Sequence, residues 1–371
     1  MTVEVRLQHR FGSFVLDAEF AAGTGVTALF GPSGSGKSTV VNAVSGLLKP
    51  DAGRIVVGDD VLFDSAAGIA LPTWRRRIGY VFQDARLMPH FTVRQNLLFG
   101  RWLRRRDVAA AGSGAIALEH VVDVLNLGHL LDRRPGALSG GEKQRVGIGR
   151  ALLSCPRMLL MDEPLASLDH ARRLEILDYL NRIRHELKLP VLYVTHSLDE
   201  VMRLADQVVL FKEGRTISQG APADVLNLHR DALDGTVESP GIVLETRIVA
   251  HDAQYGLTEV AVHGDEAIRL RVARASGQPG DRCRILVRER DVAVATSAPV
   301  DTSVLNVLPA TIMTLRDLGD SVEVDATLQG HRGLDSGTVL RARITRLSAD
   351  QLQLYPGREV YLLIKSVALT R

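Results

Sequence analysis

Gly31-Pro32-Ser33-Gly34-Ser35-Gly36-Lys37-Ser38 satisfies G-x-x-x-x-G-K-[ST] in full, between the apolar run Val26–Phe30 and a helical stretch from Ser38 to Gly46. Each residue type in that pattern has a chemical reason. Glycines let the backbone curl until several N–H groups point inward at one anion. The N-terminus of the following helix adds its partial positive charge. Lys37 then reaches the β- and γ-phosphates of a nucleotide and the Ser38 hydroxyl ligates Mg²⁺, with Thr39 beside them in the first helical turn. The bland alternative is a Gly/Ser loop with an incidental lysine. The strand before the motif and the helix after it argue for the phosphate site.

A second cluster is Arg157-Met158-Leu159-Leu160-Met161-Asp162-Glu163-Pro164, an apolar run that ends in two carboxylates. In a parallel sheet ligands sit beyond the carboxyl ends of the strands, where the phosphate loop already lies. Asp162 is the candidate to hold Mg²⁺ through water. Glu163 is the candidate to orient and deprotonate an attacking water, a role worth roughly 10²–10⁴-fold in rate. Two solvated acids at a strand end are common, so the pair gains its weight from the loop. A third cluster, Leu138-Ser139-Gly140-Gly141-Glu142-Lys143-Gln144-Arg145, opens a helix that runs to Leu153. Ser139 and Glu142 have the spacing of a capping box. Two glycines in a first turn cost up to about 1 kcal/mol each relative to alanine. They make sense if that helix end must approach something closely, and an anion is the natural guest.

The elements that must position these residues are legible as alternating patterns. Short apolar runs at Val26–Phe30, Ile78–Phe82, Met158–Met161 and Val191–Val194 each end at glycine or polar residues. Helical patterns lie between them at Ser38–Gly46, Ile116–Leu125, Gly141–Leu153, Ala171–Leu187 and Leu198–Leu204. Strands buried on both faces and separated by helices predict an α/β layered sheet. A break rich in polar and turn residues falls near 228–241. Beyond it Ile242–Val249, Cys283–Val287, Val322–Leu328, Val339–Ile344 and Val360–Ile364 are short and β-branched, which predicts a second, all-β domain in the form of a small barrel. The expected domains are 1–235 and 240–371, with a helical subdomain at about 84–156. Two stretches of the β domain resemble each other, Gly280–Arg288 running on to Asp291–Val294 and Gly357–Lys365 running on to Ser366–Leu369, which points to two related halves.

The bulk numbers exclude several classes. The chain of 371 residues is 46% hydrophobic and 24% charged, as expected of a globular protein of two or three domains. Its net charge of +2, from 45 basic and 43 acidic residues, gives no electrostatic footprint for nucleic acid. The short runs Trp74-Arg75-Arg76-Arg77 and Arg104-Arg105-Arg106 read as solvated faces. Cys155 and Cys283 have neither disulfide nor metal-site spacing. No signal peptide opens the sequence and no run reaches the roughly 20 apolar residues of a membrane span, so a cytosolic location is expected.

The three clusters together resemble the ATP-binding cassette (ABC) ATPases, with Ser139-Gly140-Gly141 in the family's signature. The resemblance implies further roles. Gln83 is similar to the Q-loop glutamine, which senses Mg²⁺ and contacts the membrane subunit. Ser167-Leu168-Asp169 is similar to the D-loop and His196 to the switch histidine near the γ-phosphate. Phe11 is the candidate to stack on adenine, with Phe14 as the alternative. The signature of one copy would face the phosphate loop of the other, so a homodimer is implied, and the 84–156 segment would receive a membrane permease, with Leu87, Met88 and Phe91 in the docking surface or in the core. The C-terminal stretches Ser303–Leu308, Ala342–Ser348 and Ile364–Leu369 resemble molybdate-binding Mop/TOBE domains. The combination is similar to the ATPase subunits of bacterial molybdate importers. That implies ATP and Mg²⁺ as ligands, an external molybdate-binding protein as an indirect partner, and a peripheral position on the cytoplasmic face of the membrane. Molybdate binding by the C-terminal domain itself would draw on Ser303, Thr345, Ser348, Lys365 and Ser366. The alternatives are an importer of sulfate, tungstate or sugar, or a soluble ABC ATPase of repair or translation.

Overall fold

The computed structural model describes residues 1–103, 116–166, 168–187, 189–229, 241–273, 275, 277–330, 335–365 and 368–370. Arg104-Arg105-Arg106, Ser167, Ser366 and the stretch 230–240 lie outside the described residues. The chain divides into two units, Met1–Ala221 and Pro222–Arg371.

In the first unit, 11 strands form one sheet. They are β1 (Val3–Phe11), β2 (Phe14–Ala22), β3 (Gly25–Phe30), β4 (Ala52–Val57), β5 (Asp60–Asp64), β6 (Ile69–Ala70), β7 (Ile78–Val81), β8 (Met158–Asp162), β9 (Pro190–Thr195), β10 (Gln207–Lys212) and β11 (Arg215–Gly220). Their order is β6-β5-β4-β1-β2-β11-β10-β3-β9-β8-β7. The segment from β10 through β3, β9 and β8 to β7 is parallel throughout. β3, β7, β8 and β9 are the apolar runs read from the sequence, and β10 was not among them; β9 is buried at every position, because helices cover both faces. The β1–β2 hairpin and β4–β6 are antiparallel additions that the sequence reading did not resolve. β1 shows the reason. Its burial alternates from Val3 to Leu7, the pattern of a sheet with one wet face, and it has no long apolar run.

Among the described residues the α-helices of this unit are α1 (Lys37–Ser45), α2 (Val93–Leu103), α3 (Leu118–Val124), α4 (Gly140–Leu153), α5 (His170–Leu187) and α6 (Leu198–Leu204). Leu97 of α2, Val121 of α3 and Val146 and Leu153 of α4 share one core with Leu159 and Tyr193 of the sheet. A second core, under α1, joins Val40 and Val44 to Leu29, Leu160 and Leu192.

The second unit opens with α7 (Pro222–Leu228), where Asn227 Nδ2 donates to the Val243 carbonyl at 2.8 Å and its Oδ1 accepts from the Val243 N–H at 3.0 Å. The strands are β12 (Gly241–Asp252), β13 (Leu257–Val262), β14 (Asp265–Ala273), β15 (Arg282–Arg288), β16 (Val292–Ala295), β17 (Asn306–Asp317), β18 (Ser321–Gln329), β19 (Asp335–Thr345), β20 (Glu359–Ile364) and β21 (Ala368–Thr370), with a short α8 (Arg346–Gln351). The expected barrel takes the form of two antiparallel five-stranded sheets, ordered β14-β13-β12-β15-β21 and β16-β20-β17-β18-β19, around one core that includes Leu270, Val324 and Leu362. The two stretches that resemble each other in sequence contain β15 and β20, and each of these strands passes its chain into the other sheet: β16 pairs with β20 (Val292 opposite Ile364), and β21 pairs with β15 (Leu369 opposite Ile285). The two sheets thus exchange strands.

A candidate nucleotide site at the carboxyl ends of parallel strands

Parallel register brings the sequence clusters together. Phe30 stands opposite Thr195, Val194 opposite Asp162, and Met161 opposite Val81. The residues that follow are Gly31, His196, Glu163 and, one residue past Phe82, Gln83. Four loops therefore leave one edge of the sheet side by side, as ligand sites in parallel sheets require.

The loop after β3 carries backbone at positive φ at Gly31, Gly34 and Gly36. A Cβ at Gly31 would overlap the Phe211 carbonyl oxygen, so the sheet itself demands glycine there. Lys37 is buried, and its Nζ donates to the carbonyls of Gly31 at 2.8 Å and Pro32 at 2.6 Å and to Ser35 Oγ at 3.2 Å. Burial lowers its pKa, against the raising effect of the Glu163 and Asp162 carboxylates. Ser33 and Gly34 are exposed at the tip, and Thr39 is half-buried on α1. Ser13, Phe14, Val15, Pro32, Ser33, Gly34, Ser35, Lys212, Glu213 and Arg215 line a cleft of about 580 Å³ beside the loop.

Ser38 Oγ donates to Asp162 Oδ1 at 2.8 Å, and Tyr80 Oη to Asp162 Oδ2 at 3.4 Å. Burial raises the Asp162 pKa, while the Ser38 hydrogen bond works the other way. A hydroxyl and a carboxylate side by side are hard oxygen donors of the kind Mg²⁺ takes, so the donor set fits that ion. Glu163 sits in the left-handed region at φ 44, with its N–H donating to the Val194 carbonyl at 3.0 Å. Non-glycine residues rarely adopt that conformation, and it turns the carboxylate out of the strand. Its Oε1 lies 3.3 Å from Nδ1 of His196, whose side chain is 51% exposed. Gln83 is exposed at the head of the neighbouring loop.

Phe11 and Phe14 face each other across the hairpin and share one face. Phe14 is wedged against the loop, its ring 3.4 Å from where a Cβ on Gly36 would stand and 3.1 Å from one on Gly214. Phe11 is 46% exposed, with its ring edge-on to His9 at 4.3 Å. The packed ring is Phe14 and the available one is Phe11.

The start of α4 does not line this cleft. Ser139 and Glu142 form the expected capping box, with the Ser139 N–H donating to Glu142 Oε2 at 2.6 Å and the Glu142 N–H to Ser139 Oγ at 3.3 Å. A Cβ on Gly140 would meet only Leu168, at 3.9 Å, so nothing among the described residues demands glycine there. Gly141 faces Arg172 and Leu168 at ordinary contact distance. Asp169 Oδ1 accepts the Arg172 N–H at 3.0 Å, closing the first turn of α5.

Two family models match the chain, ABC transporter over residues 16–166 and TOBE domain over 302–370. It is 47% identical over 372 aligned positions, covering 100% of this chain and 99% of the relative, to the molybdenum import ATP-binding protein ModC of Rhizobium meliloti. The chain belongs to the ATP-binding subunits of ABC transporters. The chain is also similar to ModC of Mesorhizobium japonicum, at 46% identity over 100% of this chain and 96% of the relative, and to the molybdenum import ATP-binding protein ModC 1 of Azotobacter vinelandii, at 46% over 99% and 98%. Membership in this ABC family makes the chain an ATP-hydrolysing transport ATPase with ATP as its ligand. No helix among the described residues is long and apolar enough to cross a membrane.

Sequence reasoning missed Tyr80 and Asn42, whose Oδ1 lies 3.1 Å from Tyr80 Oη, because neither belongs to a motif. The C-terminal residues named as candidate molybdate ligands fall at two places in the fold. Thr345 and Ser348 bond to each other through their hydroxyls at 2.8 Å and cap α8, near the Asp317 end of β17. Lys365 follows Ile364, which pairs with Asn306 at the opposite end of that strand. Ser303 precedes Asn306 on that same side. Leu87 is partly packed into the α2–α4 core, and Phe91 lies 4.6 Å from His90 and 6.0 Å from Phe99 between ring centroids. The Met88 N–H donates to Asn96 Oδ1 at 2.8 Å.

Proposed function

We propose that this chain hydrolyses ATP with Mg²⁺ to drive molybdate import through a membrane permease, working as a pair of copies on the cytoplasmic face. The observation that carries the reading is the alignment of four loops on one sheet edge, with Ser38 bonded to Asp162 and Glu163 beside His196. The substrate rests on full-length similarity to molybdenum import proteins.

Each residue then has a role that its position supports. Backbone N–H groups of 33–38 and the α1 end hold the β-phosphate, and Lys37 exchanges its loop carbonyl partners for phosphate oxygens. Ser38 and Asp162, joined by Gln83, hold Mg²⁺. The ion supplies charge neutralisation on the phosphate oxygens. Glu163 takes the proton from the attacking water, and His196 fixes the Glu163 carboxylate and faces the γ-phosphate. Phe11 offers its exposed ring to adenine. Ser139, Gly140 and Gly141 bind the γ-phosphate of ATP held by the partner copy, since the cleft within one chain leaves them unused and no contact among the described residues requires glycine at Gly140. Asp169 stands beside them at that same dimer face, and Leu87, Met88 and Phe91 offer the permease its docking surface.

Uptake of labelled molybdate, with sulfate as comparison, in cells lacking this chain tests the reading. Wild-type complementation restores molybdate uptake and Glu163→Gln does not. Restored sulfate uptake would overturn the substrate, and equal uptake with Glu163→Gln would overturn the hydrolytic role.

A further inference from the structure

We propose that Tyr80 is a positioning residue that ties the carboxylate of Asp162 to the loop 83–91 through a stack of three side chains. Tyr80 lies in β7, and Phe82, two residues on, directly follows the strand. Their rings stack at 4.0 Å with 22° between planes. On the far side of Phe82 the guanidinium carbon of Arg86 lies 4.2 Å from the ring centroid. Arg86 has φ 43, an uncommon backbone turn for a non-glycine residue that folds the loop back over the ring. The stack runs tyrosine, phenylalanine, guanidinium.

Both ends are anchored. At one end the Tyr80 hydroxyl lies between Asn42 Oδ1 at 3.1 Å and Asp162 Oδ2 at 3.4 Å, while Ser38 occupies the other Asp162 oxygen. At the other end α4 clasps the loop backbone. Gln144 Nε2 donates to the Phe82 carbonyl at 3.1 Å, and Arg150 donates to the carbonyls of Ala85 and Arg86 at 2.8 Å each. A ring that only filled space would need no hydroxyl, and one that only bonded Asp162 would need no stacked partner. Aromatic rings turn about two torsions only, so a change in the Asp162 carboxylate is passed to Phe82 and Arg86 without being absorbed by a flexible side chain. The path does not pass through Gln83. It also joins the metal side of the site to the helix that begins with the signature.

The inference rests on the site reading above. Its test uses the full chain and the transporter reconstituted with its permease. Tyr80→Phe keeps the ring and removes the hydroxyl; it raises the Mg²⁺ concentration for half-maximal binding of a fluorescent ATP analogue about tenfold, as loss of an outer-shell partner does. ATP-analogue binding without Mg²⁺ stays as in wild type. Asn42→Ala removes the oxygen that competes with Asp162 for the single hydroxyl proton, so it shifts the same titration the other way, to lower Mg²⁺, and carries the test if Tyr80→Phe does not fold. Phe82→Leu leaves the Mg²⁺ titration unchanged but lowers stimulation of hydrolysis by the permease about threefold or more. An unchanged Mg²⁺ titration in Tyr80→Phe, or full stimulation in Phe82→Leu, overturns the proposal. Wild-type chain that neither binds nor hydrolyses ATP with Mg²⁺ would instead overturn the reading of the site.

Discussion

Replacing Glu163 by glutamine isolates one function of the side chain. The backbone at this residue is held at φ 44 by the N–H bond to the Val194 carbonyl, which the substitution does not touch. Glutamine has the same length and can still pair with His196 Nδ1, now 3.3 Å from Oε1. What disappears is a group that can accept a proton. General-base assistance is worth about 10²–10⁴-fold, or roughly 3–5 kcal/mol of barrier. Phosphate release at saturating ATP and Mg²⁺ is therefore expected to fall by that factor while nucleotide affinity is retained. Because ATP would bind between two copies and hydrolysis would release them, the variant should elute as a dimer in ATP on gel filtration. Hydrolysis within about threefold of wild type would refute the assignment of Glu163 as base, since no base removal is that mild. A dead enzyme that also fails to bind ATP would refute the argument that the swap is geometrically neutral.

Three other outcomes follow from the structure. Gly31→Ala forces a Cβ into the Phe211 carbonyl oxygen, which is sheet backbone and cannot swing away, so ATP affinity and the melting temperature both fall; Gly34→Ala, which meets nothing within 4 Å, carries only the strain of about 1–2 kcal/mol for its positive φ. Burial raises the Glu200 carboxyl above its usual 4.5, so the folded state keeps a proton that the unfolded chain releases. That contribution to stability is present below pH 4.5 and lost as the pH rises toward the raised value, so the gain in melting temperature from Glu200→Gln is larger at neutral pH than at pH 4.5; an equal gain at both would refute it. In the second unit Arg343 contacts Glu289 at 3.0 Å and Glu323 at 2.9 Å, both carboxylates nearly fully buried; Glu323 also keeps Arg341 at 3.2 Å, so Arg343→Ala should destabilise that unit by about 1–3 kcal/mol in chemical denaturation.

The sequence by itself determined which residues can do chemistry. Gly31 to Ser38, Asp162, Glu163 and Ser139 to Gly141 were legible because phosphate, metal and proton chemistry accept few residue types and fixed spacings. The strands that present them were legible too, because a strand covered on both faces is a continuous apolar run. The hairpin β1–β2 was not, since one wet face breaks the run into an alternation. Only the tertiary structure decided which residues meet. Parallel register set Asp162 against Val194 and so placed Glu163 beside His196, 33 residues away. It put Tyr80 within reach of Asp162 and left the α4 start outside the cleft of its own chain. It also set Thr345 and Lys365 at opposite ends of β17, although both belong to stretches of one sequence motif. The physical reason is the same in each case. Spacing along the chain fixes local geometry within a turn or a strand, whereas adjacency between strands is set by backbone pairing and burial summed over the whole sheet.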